Sequence, residues 1–513
     1  LTATSAQFPA TLSLGRIDAE RYFSTDHLHA DLRIRSIRGG AVTLIAQCGK
    51  FALQLGSTMI LARLLTPADF GLVAMVTVIT GFVGLFRDLG LSQATVQRAQ
   101  ITHAQVSTLF WINVAASALL MLLVAALAPA IALLYHEPRL TWITLALAGS
   151  FIFSGLAVQH QALLRRQMKF TTLVVIDLLS LLISVLIALI MAADGFRYWA
   201  LVVQTITQAI SYCLLIWLWC DWRPKRWSKG SGVRTMLAFG GDLTGFGVVN
   251  YFSRNADNAL IGWRWGDTVL GLYGRAYQLL LLPLSQVNTP IAGVAIPALS
   301  RLQHHEKHYR LAFLQLLKKL TMVTIPLIAL TIVCADWIVH AVLGSQWDGA
   351  AKIFVWLGLA ALLQPITYTS GWLFISQGRT REQLMWGVVG SGMIVISFLI
   401  GLPWGAIGVS IAYAICMNLF ATPALLWLVG RSGPVRTADM YHIAALPMLA
   451  AICVSATLLI FRKFAAGHGI AIDLSISFVL TVAATFACYS IFADGRATLR
   501  ESWRLLYEVF TAG

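Results

Sequence analysis

Between Arg38 and Gln97 the chain reads as two long apolar runs joined by a short polar connection, Arg63 to Phe70. Each run exceeds the roughly 18 to 20 apolar residues that a helix needs to cross a bilayer. Backbone groups in lipid must bond internally, so runs of this kind fold as helices. Neither run is clean. Lys50 sits inside the first and Arg87-Asp88 inside the second. A charge at that depth is costly and is expected to face protein or a water-filled cavity.

The theme repeats along all 513 residues. Hydrophobic residues make up 58% and charged residues 12%, against about 25% charged in a soluble globular protein. Mean hydropathy is +0.76. A soluble chain could not hide so much apolar surface, so the fold class is an all-α polytopic membrane protein. About 14 transmembrane helices are expected from span length. They lie near 39–62, 71–95, 106–134, 142–163, 171–193, 198–220 and 235–262. The rest lie near 269–298, 316–342, 350–376, 384–401, 404–429, 440–461 and 470–491. Pro129 is expected to break or bend the third, and Pro283, Pro290, Pro297 and Pro365 to bend helices further on.

The net charge of +15 would suggest nucleic acid in a soluble protein. Here it fits basic cytoplasmic loops, with no nucleic-acid partner. With the N-terminus inside, 26 of the 37 Lys and Arg fall on the cytoplasmic side, seven on the other and four inside spans. That asymmetry is the positive-inside pattern. An even number of spans then puts both termini in the cytoplasm. The expected organisation is a polar tail (1–32) with no apolar signal core, a six-helix lobe (33–220) and a basic linker (221–234). A second six-helix lobe (235–430), a helix pair (431–492) and a C-terminal tail (493–513) follow. The linker reads as a solvated segment beside anionic headgroups. The seven cysteines lie in apolar runs with no CxxC pair and read as small buried apolar residues.

The halves echo each other. TPADFGL (Thr66–Leu72) and GDTVLGLY (Gly266–Tyr273) are short turns entering long helices, and GFRYWALVV (Gly195–Val203) parallels GLPWGAIGVS (Gly401–Ser410). The offsets are near 200 residues. Six spans per half preserve orientation, as in transporters with parallel repeats.

Polar residues that lipid would reject mark the functional candidates. Gln47, Lys50 and Gln54 share one helical face. Arg87, Asp88 and Gln93 follow in the second span. The seventh carries Asp242 and Asn255, with Asn250, Arg254, Asp257 and Asn258 as a stripe; the eighth adds Arg275 and Gln278. Spans one and seven are equivalent by the repeat and are expected to face each other across a cleft. The functional reading is a hydrated cationic cavity in which Lys50, Arg254, Arg275 and Arg87 attract a phosphate or pyrophosphate. Gln47, Gln54, Asp88, Asp242, Asn250, Asp257 and Asn258 would be its polar or coupling groups. The competing reading is internal ion pairing, such as Arg254 with Asp257 at i,i+3. Asp177, Asp242 and Asp257 offset the positive charge, and which of them, if any, takes a proton or sodium stays open. Gln159, His160 and Gln161, beside Arg165-Arg166, either meet a lipid headgroup or cap their helix. No chemistry of bond making is signalled. His304-His305-Glu306-Lys307-His308 lacks the HExxH spacing and there is no GxxxxGK[ST], so no enzyme activity, metal or cofactor is expected.

The segment 38–97 resembles the opening of the Wzx-type flippases of bacterial polysaccharide and lipopolysaccharide assembly. Ala62, Arg63, Leu65, Pro67, Asp69, Phe70, Gly71 and Leu72 carry one motif; Asp88, Gly90, Leu91 and Ala94 carry another. Gly271 to Leu302 echoes it in the second half. The resemblance covers roughly residues 33–500 and is strongest in 38–97 and 235–302. It implies the fold of multidrug extrusion proteins and the peptidoglycan lipid flippase, with two six-helix lobes and a central cavity. It implies export of undecaprenyl-pyrophosphate-linked oligosaccharide across the bacterial inner membrane by alternating access. It also implies membrane lipids, and the polysaccharide polymerase and export machinery, as partners. By position, Lys50 and Arg254 are the cations expected to engage the pyrophosphate. The alternatives are a cation-coupled multidrug or small-molecule exporter of the same fold, resting on Asp242 or Asp257, and a membrane glycan polymerase or ligase. The last needs a large periplasmic loop, which the span pattern does not leave.

Overall fold

The structure is a computed structural model. It describes residues 23, 32–88, 90–98, 100–227, 234–465 and 467–511; side chains are not described at 32–46, 234–250, 253, 282, 284–285, 287, 289–290 and 505–511. Every regular element among the described residues is helical. Nine helices there are long and apolar enough to span a membrane, or ten if one bent pair counts as a single span. The chain separates into two compact units. One holds Leu1–Ser57 and Val76–Val248; the other holds Thr58–Met75 and Val249–Gly513.

In the first unit, helices His103–Tyr135, Ser150–Arg166, Phe170–Ala193 and Tyr198–Trp219 are the long elements. The first of these starts at a reciprocal cap: the Gln105 amide donates to Thr102 Oγ1, and the Thr102 amide donates to Gln105 Oε1. Such a box satisfies two of the orphan donors at a helix start. The helix runs through Pro129 without a break, which leaves a bend as the surviving part of that expectation. Arg139–Ala148 and Ser150–Arg166 meet at Gly149, whose backbone stays helical, and together form one span.

The second expected span does break. Its helix ends at Gly84, a turn carries Arg87 and Asp88, and a new helix runs Leu91–Gln97. Gly90, at φ 67°, starts that helix, a conformation that suits glycine. The Asp88 carboxylate accepts from the Ser92 amide at 2.9 Å and from its hydroxyl. Local capping by Asp88 thus competes with continuing the helix.

The end of the Leu91–Gln97 helix is held by Arg166, 4% exposed. Its guanidinium donates to the carbonyls of Thr95, Val96, Arg98 and Phe23. One residue departs from the expected solvated linker. Trp222 is fully buried against His160, Phe110 and His103, and the Lys225 amide donates to Ser107 Oγ. Residues 221–227 are therefore anchored on the unit through Trp222; 228–233 lie outside the described residues. Cys48 is exposed and Cys453 half-buried, while the other five cysteines are buried.

The seventh and eighth expected spans form one helical run, Arg234–Leu302, which belongs to the second unit from Val249 on and is interrupted at Gly266 (φ 81°, ψ −173°). The backbone stays helical through Pro283, Pro290 and Pro297. Asp348–Ala361 and Gln364–Ser376 are bent by 43°, where Pro365 opens the second helix. The final pair, Thr437–Phe464 and Ile470–Ile491, packs on Glu306–Val333 through Val454 and Leu458 against Ile325 and Ala329.

The two repeated turns meet inside this unit. Thr66 caps the helix beginning at Pro67: its amide and hydroxyl both donate to Asp69 Oδ2, at 3.0 and 2.7 Å. A Cβ on Gly71 would overlap the carbonyl of Asp267, and one on Gly271 would overlap the carbonyl of Pro67. Equivalent residues thus make the same contact in both directions. Trp347, fully buried, stacks edge-on against Phe70 at 5.4 Å and donates through Nε1 to the Ala62 carbonyl at 2.7 Å. Arg63 donates to the Ala341 carbonyl at 2.8 Å. Gly271→Ala should cost about 1–3 kcal/mol as overpacking and lower the melting temperature in detergent. Gly274→Ala, where a Cβ meets nothing, should be neutral or better. Equal melting temperatures for the two variants would contradict the crossing.

Candidate functional site

A cavity of about 410 Å³ opens inside the first unit. Ser150, Ser154 and Gln161 reach it from Ser150–Arg166, and Thr205, Gln208 and Tyr212 from Tyr198–Trp219. Asp177 lies on Phe170–Ala193, and Arg87 on the turn that ends the second expected span. That turn is what lets Arg87 leave the helix line. The cavity is polar in a bundle whose neighbouring residues are apolar, so it is a place where water or a polar ligand is accommodated.

Its charges are arranged unequally. Lys50 Nζ is 2.6 Å from Asp177 Oδ2, both side chains about a third exposed. This pair neutralises the carboxylate that faces the cavity. Asp88 is occupied by Ser92, and the buried Nε of Arg87 has no hydrogen-bond partner. Gln47 and Gln54 lie half-buried on the Lys50 helix. Gln161 lines the cavity, while Gln159 and His160 are fully buried in the core. Gln159 accepts from Thr95 Oγ1 at 3.0 Å, and the His160 ring lies 4.5 Å from that of Trp217. Burial therefore rules out a lipid headgroup contact for those two.

The second unit carries its own polar cluster. Asp257, 2% exposed, accepts from Tyr273 Oη at 2.7 Å and from the Asn258 amide at 2.8 Å. The Tyr273 ring stacks on Tyr277. Arg254 is exposed and makes no ion pair with Asp257 among the described residues, so the expected stripe splits between two environments. Asn258 is half-buried beside Asp257. Arg275 lies 3.9 Å over the Phe70 ring and donates to Gln278 Oε1 at 2.6 Å, which ties it to the crossing of the two turns. The side chains of Asp242 and Asn250 lie outside the described residues.

Reading the sequence for charge missed Gln208, Thr205 and Tyr212, although their spacing was informative. They recur at i, i+3 and i+7 in an otherwise apolar span, the signature of one polar helix face. Asp177 was noted only as an offset to positive charge, and no local spacing links it to Lys50, 127 residues away. No group of three or more His, Cys, Asp or Glu that could hold a metal occurs among the described residues.

Comparison with known proteins agrees with this architecture. The family described as "Polysaccharide biosynthesis protein" matches residues 60–352. The chain is 27% identical over 349 residues to the teichuronic acid biosynthesis protein TuaB of Bacillus subtilis, covering 67% of this chain and 71% of that protein. It is 24% identical over 389 residues to the lipopolysaccharide biosynthesis protein WzxC of Escherichia coli, covering 74% and 78%. Among solved structures it matches the lipid II flippase MurJ in an inward closed conformation. The TM-score is 0.71 at 16% identity, covering 89% of this chain and 98% of that one. An inward-facing multidrug resistance MATE family transporter of the MOP superfamily matches with a TM-score of 0.61 at 13% identity, covering 78% and 99%. At such identities the structural likeness is one of fold.

The Lys50–Asp177 contact lends itself to a double-mutant cycle. Lys50→Gln and Asp177→Asn should each destabilise the protein, and the double variant less than their sum, with a coupling of about 0.5–3 kcal/mol. Strict additivity in thermal unfolding would remove the pair as a stabilising contact.

Proposed function

The chain belongs to the polysaccharide biosynthesis protein family, and from that premise we propose that it is a flippase for lipid-linked oligosaccharide. The cargo is an undecaprenyl-pyrophosphate-linked repeat unit, carried from the cytoplasmic to the periplasmic leaflet of the bacterial inner membrane. Both termini lie in the cytoplasm, and the polysaccharide polymerase and export machinery receive the product. The observation that carries the reading is a polar, cation-bearing cavity within membrane-crossing helices of a chain from this family. The names of the relatives, in lipopolysaccharide and teichuronic acid biosynthesis, and the lipid II flippase among the fold neighbours support it.

The protein moves the lipid without making or breaking a bond. A lipid-linked sugar crosses the hydrocarbon only if its hydrated head has a polar path. Each unit carries cations suited to a diphosphate, Lys50 in one and Arg254 and Arg275 in the other, while Arg87 stands on the cavity wall. Gln47, Gln54 and Asn258 serve as polar lining. Lys50 is held by Asp177, so an anionic headgroup competes with that carboxylate for it. Arg254 is exposed and ready. An inside-negative potential favours outward movement of the diphosphate by about 2.3 kcal/mol per charge per 100 mV.

A second reading, a cation-coupled exporter, is favoured by one feature. Asp257 is a buried carboxylate whose bonds come from a tyrosine and a backbone amide, with no ion pair to a basic side chain among the described residues. If Asp257→Asn abolishes transport of small cationic drugs while polysaccharide export continues, that reading prevails. For the preferred reading, the Lys50→Gln/Arg254→Gln double variant should reduce polysaccharide export at least about tenfold with normal amounts of protein in the membrane. Normal export by that variant would overturn the assignment of these cations.

A further inference from the structure

We propose that the cavity inside the first unit is a sugar subsite, holding the oligosaccharide part of the cargo while the diphosphate binds elsewhere. The inference rests on the flippase reading above and deepens it. The lining decides the ligand class. A diphosphate calls for several converging cations and no carboxylate. This cavity presents one guanidinium, Arg87, and one carboxylate, Asp177, that Lys50 already neutralises. The remaining polar groups are neutral: the amides of Gln161 and Gln208 and the hydroxyls of Ser150, Ser154, Thr205 and Tyr212.

Amides and hydroxyls both donate and accept, which is what a polyol needs and a phosphate does not. Arg87, the one cation on the wall, supplies a charge-assisted bond to a ring or hydroxyl oxygen. The volume, about 410 Å³, falls in the range of about 300–1,000 Å³ typical of small-molecule sites. The three contributing helices belong to one compact unit, so the cavity does not depend on the other unit for its walls.

The test places a thiol in the cavity at Ala209→Cys in the full chain purified in detergent. Its maleimide labelling is followed by peptide mass spectrometry, which separates it from the exposed native Cys48. Two probes are compared: the native lipid-linked oligosaccharide and undecaprenyl pyrophosphate without sugar. Thermal stabilisation by each probe is measured on the same samples. The lipid-linked oligosaccharide should slow labelling at least about fivefold at saturating concentration, and undecaprenyl pyrophosphate should stabilise the protein without slowing it. Adding Gln161→Leu and Gln208→Leu should abolish the protection while stabilisation by undecaprenyl pyrophosphate persists. Equal protection by undecaprenyl pyrophosphate would make the cavity a diphosphate site. Stabilisation by the oligosaccharide with no protection at all would make it an unoccupied hydrated void. Either result overturns the subsite and leaves the flippase reading standing. Absence of stabilisation by either lipid would defeat the flippase reading and the subsite with it.

Discussion

A lysine and an aspartate held 2.6 Å apart in membrane-crossing helices show the constraint under which this protein is built. Charge in such helices is costly unless it is paired or hydrated. Lys50 and Asp177 meet that requirement mutually, and Asp177 also lines the cavity of the first unit. The pair is partly exposed, so it stands at the boundary between packed protein and accessible space.

The repeated turns are the second organising contact. Gly71 and Gly271 occupy equivalent places in TPADFGL and GDTVLGLY, and each admits the backbone of the other turn. Only a residue without a side chain allows two backbones that close. Around the crossing, Trp347, Arg63 and Arg275 add bonds and ring contacts from further along the chain. Arg275 thereby acts as part of the scaffold in this conformation, which separates it from the freely exposed Arg254.

Much of the fold was legible because apolar span length is a strong signal. The helices Phe170–Ala193 and Tyr198–Trp219 fall where uninterrupted apolar runs place them. Where the reading failed, a local interaction outweighed hydropathy. Asp88 and Gly90 ended the second expected span, and Pro129 was accommodated without ending the third. The polar groups were legible as a set, since lipid excludes them. Their partners were not: Asp177 meets Lys50 across 127 residues, and nothing in either local sequence encodes that. Trp222 was lost inside a basic linker because its neighbours are charged, although its own burial anchors the segment.

The central claim is that this protein moves a diphosphate-linked sugar lipid between leaflets. The most direct measurement reconstitutes the purified chain in liposomes carrying a fluorescent undecaprenyl-pyrophosphate oligosaccharide in one leaflet. Transfer is read as accessibility to an impermeant quencher. The account predicts transfer at least about tenfold faster than in protein-free vesicles, with no such acceleration for a fluorescent phospholipid. Equal rates with and without protein, under conditions where the protein is folded and inserted, would contradict it.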